Sequence, residues 1–187
     1  MVICFAICGS FCNFENALVQ LSELVARGHS VIPVCSYHFS STDTRFGKAE
    51  EQMARVEAIA GRKIITTLAE AEPVGPKLRP DAMVICPCTG NTLAKLACGI
   101  SDTPVTLAAK AHLRNRRPLL LAVASNDALS ANFRNLATLY EKKNVYFVPL
   151  RQDDILKKPS SLVCDFPQLA DALTQAMEGR QKLPLFV

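Results

Sequence analysis

The sequence predicts an α/β fold, a single domain over residues 1–187 in which helices cover both faces of a doubly wound, six-stranded parallel sheet. Three observations carry this expectation. Short apolar runs alternate with helical patterns almost from end to end, the order that βαβ units produce. Val2 to Ile7, Val31 to Cys35, Ala82 to Cys86 and Leu119 to Ala124 are apolar at nearly every position, as strands covered on both faces must be. Three of the helical patterns stop at a glycine, Gly28, Gly61 and Gly99, the residue that most readily takes the left-handed turn ending a helix.

Val2 to Ile7 is the first strand, followed by a tight turn through Gly9 and Ser10 and a helix whose inward positions are Phe14, Ala17, Leu18, Leu21, Leu24 and Val25. Val31 to Cys35 is the second strand, and the Ser/Thr-rich stretch from Ser36 to Thr44 reads as loop. Lys48 to Ala60 reads as helix, Lys63 to Thr66 as a short strand, and Pro73, Pro76 and Pro80 make the stretch from Glu72 to Asp81 irregular. The strand Ala82 to Cys86 leads through Pro87 to Thr92 into a helix carrying Leu93, Leu96 and Ala97. Asp102-Thr103-Pro104 supplies a cap and a first-turn proline for the next helix, which runs to Arg114. Leu119 to Ala124 is a strand, Ser130 to Lys142 a helix, Val145 to Val148 the sixth strand and Gln168 to Glu178 a closing helix. Arg151 to Cys164 is polar without a clear period.

With 49% hydrophobic and 20% charged residues, the chain has the balance of a globular protein and excludes disordered or fibrous classes. A chain of this length buries roughly 70% of the surface its unfolded form exposes, so a core forms without staples. Its net charge of +4 is spread out except at Arg114, Arg116 and Arg117, which leaves no footprint for nucleic acid. The apolar runs are far shorter than the ~20 residues of a membrane-crossing helix, and no basic leader precedes the first one. A cytoplasmic protein with no membrane contact is the expectation. Eight cysteines form no Cys-x-x-Cys pair, and Cys4, Cys8 and Cys12 would stand about 13 Å apart along an extended strand, too far to share a metal. Buried free thiols, and no metal, are expected.

In such sheets ligands bind beyond the carboxyl ends of the strands, so the residues just after each strand carry the information. Gly9, Ser10 and Phe11 form a turn that admits close backbone approach and offers helix amides to an anion. The second loop opens with Ser36. In the third, Pro87-Cys88-Thr89-Gly90-Asn91-Thr92, small residues surround an Asn able to donate and accept at once, as pairing with a flat heterocycle requires. Ser125-Asn126-Asp127 gives the fourth loop the same polar character. The candidate ligand-binding residues are therefore Gly9, Ser10, Phe11, Ser36, Cys88, Thr89, Asn91, Ser125 and Asn126, with no catalytic residue assigned.

The segment Pro87 to Lys95, with Gly99-Ile100-Ser101-Asp102 behind it, resembles the P-A-S-A-N-T-(I/L)-A-K…G-I-A-D signature of the homo-oligomeric flavin-containing cysteine decarboxylase superfamily. Gly9-Ser10 matches the first phosphate-binding turn of that superfamily, Ser36 its serine after the second strand, and Asn126 and Asn132 the asparagines of its P-x-M-N-x-x-M-W region. Longer stretches, Glu72 to Lys77, Asp102 to Thr106, Ala109 to Asn115 and Tyr146 to Asp154, are similar to one branch whose members are the B chain of a two-chain synthase.

That resemblance implies an oxidoreductase subunit, not active alone, that works beside an A subunit in sporulation. The pair would oxidise a small cyclic imine dicarboxylate to pyridine-2,6-dicarboxylate. It implies flavin mononucleotide (FMN) here, with Gly9, Ser10 and Ser36 near the phosphate and ribityl chain and Cys88, Thr89 and Asn91 at the ring. NAD(P) would sit on the A subunit. A homo-trimer or a dodecamer of four trimers is implied, and the small-residue stretch from Leu93 to Ile100 suits close helix contact.

The chain also departs from the decarboxylases. No histidine lies between Ala60 and Cys88, and Val123, Ser125, Leu129 and Ser130 stand where the clasp has proline, two methionines and tryptophan. Those departures weaken the alternative of a stand-alone decarboxylase or flavin prenyltransferase. A second alternative is a non-catalytic partner that stabilises the A subunit.

Overall fold

The computed structural model describes residues 1–187. Its elements in chain order are β1 (Val2–Ile7), α1 (Phe14–Ala26), β2 (Ser30–Cys35), α2 (Tyr37–Ser41), α3 (Ala49–Ala60), α4 (Leu68–Ala71), β3 (Ala82–Cys88), α5 (Gly90–Cys98), α6 (Pro104–Leu113), β4 (Leu119–Ser125), α7 (Phe133–Tyr140), β5 (Val145–Phe147), β6 (Leu150–Asp154), β7 (Lys158–Cys164) and α8 (Leu169–Met177).

The sheet has seven strands in the order β2-β1-β3-β4-β7-β6, and β5 also pairs with β4. The pairs β1 with β2, β1 with β3, β3 with β4 and β4 with β5 are parallel. Every residue of β3 is buried, which accounts for its unbroken apolar run. Helix α1 packs on α3 and α8, whereas α6 packs on α4 and α5, and α5 on α7; these two groups cover opposite faces of the sheet. Between them one hydrophobic core runs from Ile3 to Leu173. The strand order reverses between β1 and β3, so the crevice for a ligand opens where those two strands end.

Four local expectations change. The strand expected at Lys63 to Thr66 shrinks to a single bridge between Ile65 and Val34. Ile65 N keeps a backbone bond to Pro33 O, but the flanking amides are taken by carboxylates: Ile64 N donates to Glu57 at 3.0 Å, and Thr66 N and Thr67 N donate to Glu70 at 3.0 and 3.1 Å. Inside the expected loop after β2, Ser36 Oγ accepts from Phe39 N and starts the short helix α2, which buries Phe39. The stretch Arg151 to Cys164 is an antiparallel hairpin, β6 and β7, so the sheet is mixed and has seven strands rather than six. Residues 151–153 of β6 are exposed at the sheet edge, and a strand wet on both faces loses the alternation by which it would be recognised. Asp154 Oδ1 makes the hairpin turn by accepting from Leu156 N and Lys157 N at 3.1 and 3.0 Å. Finally, β3 continues two residues past Cys86 and takes Cys88 into the core.

The hairpin meets the rest of the sheet at one place. The first half of β4 pairs with β5, and its last two residues, Ala124 and Ser125, pair with Val163 and Leu162 of β7. The hairpin thereby stands beyond the carboxyl end of the parallel strands and walls the crevice on one side.

Candidate functional site

The first wall is built where β1 ends. Ser10 N donates to Cys8 O at 2.8 Å, and the chain then enters a single 3-10 turn, Phe11–Asn13, with Asn13 Nδ2 on Ser10 Oγ at 3.0 Å. Opposite it, β3 gives way to α5. Thr89 stands at the cap position without capping; its hydroxyl donates to Thr92 Oγ1 at 3.3 Å, which lies 3.2 Å from Cys8 Sγ. Leu93 N, bonded to Thr89 O, closes the first turn, so helix geometry leaves the amides of Gly90 to Thr92 without intrahelical partners.

Behind α5 stands a polar network. Ser125 Oγ donates to Asp127 Oδ1 at 2.5 Å, Asn132 Nδ2 to Asp127 Oδ2 at 2.8 Å, and Asn135 Nδ2 to Asn132 Oδ1 at 2.8 Å. It packs so tightly on α5 that a Cβ at residue 90 would lie 2.5 Å from Ser125 Oγ and 2.8 Å from Asp127 Oδ1, so any side chain there displaces the network. Leu129 N, bonded to Ser160 O at 2.9 Å, ties this loop to β7.

Two clefts open on these walls. One, about 440 Å³, runs between the Gly9 turn, Asn91, the Ser125–Asp127 loop and the hairpin residues Asp153, Lys158 and Ser161. The other, about 540 Å³, runs between Ser36, His38 and Thr42 on one side and Lys95, Asp102 and Thr103 on the other. Gly9, Phe11, Thr89 and Asn91 border both, so the clefts meet over a shared ridge. Lys95 Nζ sits 2.8 Å from Asp102, whose carboxyl it holds below the usual range. Lys158 Nζ likewise sits 2.6 Å from Asp153.

Of the residues expected at the site, Gly9, Ser10, Phe11, Thr89, Asn91, Ser125 and Asn126 line the first cleft and Ser36 the second. Asn91 is exposed and has no side-chain partner within the chain, and with Thr89 at the cap it is not the helix cap. Cys88 borders neither cleft. It is fully buried, burial pushes its thiol well above the ordinary value, and it does not reach the ring position expected for it. Cys8 is pushed up to about 11 for the same reason. Asp127, Asp153, Lys158 and Ser161 were missed. Asp127 belonged to a recognised loop, and the other three lie in the hairpin that reads as aperiodic.

No group of three His, Cys, Asp or Glu side chains is placed to hold a metal ion, and no helix is long and apolar enough to cross a membrane.

A family model described as Flavoprotein matches residues 2–183 of this chain. The chain belongs to that family. The B subunit of dipicolinate synthase from Bacillus subtilis (strain 168) is 43% identical over 183 residues, covering 98% of this flavoprotein and 92% of the relative. The crystal structure of the B subunit of dipicolinate synthase from Bacillus halodurans superposes with a TM-score of 0.91 at 37% identity, covering 100% of this flavoprotein and 95% of that chain. A dodecameric FMN-dependent UbiX-like decarboxylase from Escherichia coli O157:H7 shares the fold, with a TM-score of 0.64 at 22% identity over 80% of each chain.

Proposed function

We propose that this flavoprotein is the B subunit of a dipicolinate synthase. With an A subunit that binds NAD(P), it oxidises a dihydrodipicolinate-type precursor to dipicolinate in the cytoplasm of a sporulating cell. The observation that carries this reading is the likeness to the B subunits of dipicolinate synthases over nearly the whole chain, in sequence and in fold.

FMN is the proposed cofactor, and the residues fit it. The joined clefts give an elongated groove, the ridge between them carries hydroxyls and unpaired helix amides, and Gly9 keeps a side chain off that ridge, where a Cβ would come 3.3 Å from His38. Gly9, Ser10, Phe11 and Ser36 would hold the phosphate and ribityl chain, and Thr89, Asn91, Ser125 and Asn126 the ring. A bound flavin supplies an acceptor for two electrons. The chain's own part is to orient a flat dicarboxylate in the first cleft, where Lys158 is the one cationic side chain on the wall.

As a single domain, the protein assembles as a homo-trimer or a dodecamer of four trimers. In the stretch expected to make that contact, Leu93 and Leu96 are buried in the protomer's own core, and Ala94, Ala97, Cys98 and Ile100 are left at the surface.

Mixing tests the reading. Each purified subunit, and then both together, is given dihydrodipicolinate, and dipicolinate is followed by its ultraviolet absorbance. Turnover by the mixture alone supports the proposal. Turnover by the A subunit on its own at the same rate overturns it. A visible spectrum of the purified chain without flavin bands, and no binding in an FMN titration, would remove the cofactor.

A further inference from the structure

Three carboxylates face the two clefts, and two of them are paired with a lysine: Asp153 with Lys158 and Asp102 with Lys95. Asp127 has no cationic partner. Its two oxygens accept only from neutral groups, Ser125 Oγ at 2.5 Å and Asn132 Nδ2 at 2.8 Å. Asn132 is itself held by Asn135, so the carboxylate is fixed in place. Because the Ser125 hydroxyl gives its hydrogen to Asp127, its lone pairs are left free to accept, and both are partly exposed residues lining the first cleft. A hydroxyl so arranged takes a proton from a ligand while passing its own to the carboxylate behind it.

We propose that Ser125 and Asp127 form the proton acceptor for aromatisation of the dicarboxylate ring. This rests on the dipicolinate reading above. Oxidising a dihydropyridine ring removes one hydride and one proton. One ring C–H bond breaks with its electron pair leaving as hydride to the complex's two-electron acceptor, a flavin or a nicotinamide, which is reduced. The neighbouring C–H bond breaks and its pair stays in the ring as the new π bond. The released proton moves to Ser125 Oγ as the serine proton moves to Asp127 Oδ1. Ser125 is the group that touches substrate, and Asp127 is a positioning residue that acts through it.

Two features agree with this assignment. The network stands over the first residue of α5, the helix end at which a negative charge is favoured. The space that both side chains occupy exists only because residue 90 is glycine.

The test uses the assembled A and B subunits carrying Ser125→Ala, Ser125→Thr, Asp127→Asn, or the exchange Asp127→Asn with Asn132→Asp. The exchange keeps a carboxylate and an amide facing each other but moves the charge away from Ser125. For Ser125→Ala and for the exchange, kcat is expected to fall by about a hundredfold or more, the usual loss of a general base. At saturating FMN, KM, Tm and dipicolinate affinity by calorimetry should each change far less than kcat; a rate that returns to wild type once FMN is saturating would show a flavin contact and overturn the relay. Ser125→Thr, which keeps the hydroxyl, should recover most of the rate. Wild-type kcat in Ser125→Ala, or a loss confined to KM or Tm in every variant, would overturn the relay and leave the dipicolinate reading standing. Failure of the unaltered pair to make any dipicolinate would overturn both.

Discussion

Cys8 Sγ and Thr92 Oγ1 lie 3.2 Å apart across 84 residues of sequence and join the end of β1 to the first turn of α5. This contact spans the strand-order reversal. It sets how far the Gly9 turn stands from Asn91, which are the two sides of the shared ridge.

Thr92→Val keeps the shape of that side chain and removes its hydroxyl, leaving Thr89 Oγ1 and Cys8 Sγ without their partner. A stability loss of about 1 kcal/mol is expected, read as a lower urea midpoint at unchanged slope. FMN affinity should fall as well, because the ridge loses its brace. An unchanged midpoint would show that the contact contributes nothing.

Asn91→Leu is expected to leave Tm nearly as it is, since Thr89 holds the cap position and Asn91 is exposed without an internal partner. FMN affinity should drop by about ten- to a hundredfold, the equivalent of 1 to 3 kcal/mol from one unpaired polar edge. Fluorescence titration of both forms checks it. A lower Tm with unchanged affinity would take Asn91 off the site.

Two glycine replacements should separate function from stability. At Gly75 a Cβ would come 2.6 Å from Ala111 O and 2.7 Å from Ala111 Cβ, so backbone must move. Gly75→Ala should therefore destabilise strongly, toward the upper end of the 1–3 kcal/mol typical of overpacking. At Gly90 the obstructing atoms belong to side chains, Ser125, Asn132 and Asp127, which can yield without moving the backbone but only by breaking the hydrogen bonds that join them. Gly90→Ala should thus cost less stability than Gly75→Ala and more turnover. Paired melting curves and rate measurements decide between these orders.

Acid sensitivity should follow His112. Its ring is fully buried, Nε2 lies 2.9 Å from Pro118 O, and Nδ1 has no partner, so burial holds its pKa below the ordinary 6.5. Below about pH 6.5 the unfolded chain binds a proton that the folded chain refuses, and stability falls with pH. Between pH 7 and 5 the denaturation midpoint should drop, and His112→Gln should flatten that slope while lowering stability at pH 7. His29, shifted in the same direction at a less buried position, accounts for a residual slope. A slope unaltered in the variant would assign the effect elsewhere.

The parallel core was legible because its strands are covered on both faces and read as continuous apolar runs; β1, β3 and β4 are cases. Most of the candidate site was legible for a related reason: Gly9, Ser36, Thr89 and Ser125 lie at or just past the carboxyl ends of strands, where the fold class alone directs attention. What escaped was whatever depends on partners far away in sequence. Nothing local marks Arg151 to Asp153 as strand, because its pairing is with β7 and its side chains are wet. Cys88 looked available in a loop, but its strand runs on to include it and leaves the thiol in the core. The network around Asp127 needed Ser125, Asn132 and the close approach of Gly90 to be seen together.

The division of β4 between a parallel neighbour and an antiparallel one has an evolutionary side. The hairpin that carries Asp153, Lys158 and Ser161 is laddered to β4 only at Ala124 and Ser125, and Leu129 N on Ser160 O and the backbone bonds of Leu150 to Leu185 and Val187 hold it from outside the sheet. Insertions, deletions or charge changes at its exposed residues, 151–153 and 155–159, spare the buried Leu150, Leu162, Val163 and Cys164 and leave the registers of β1 to β5 untouched, so on the proposed reading one inherited platform can be refitted for differently sized or charged ligands at the hairpin's tip.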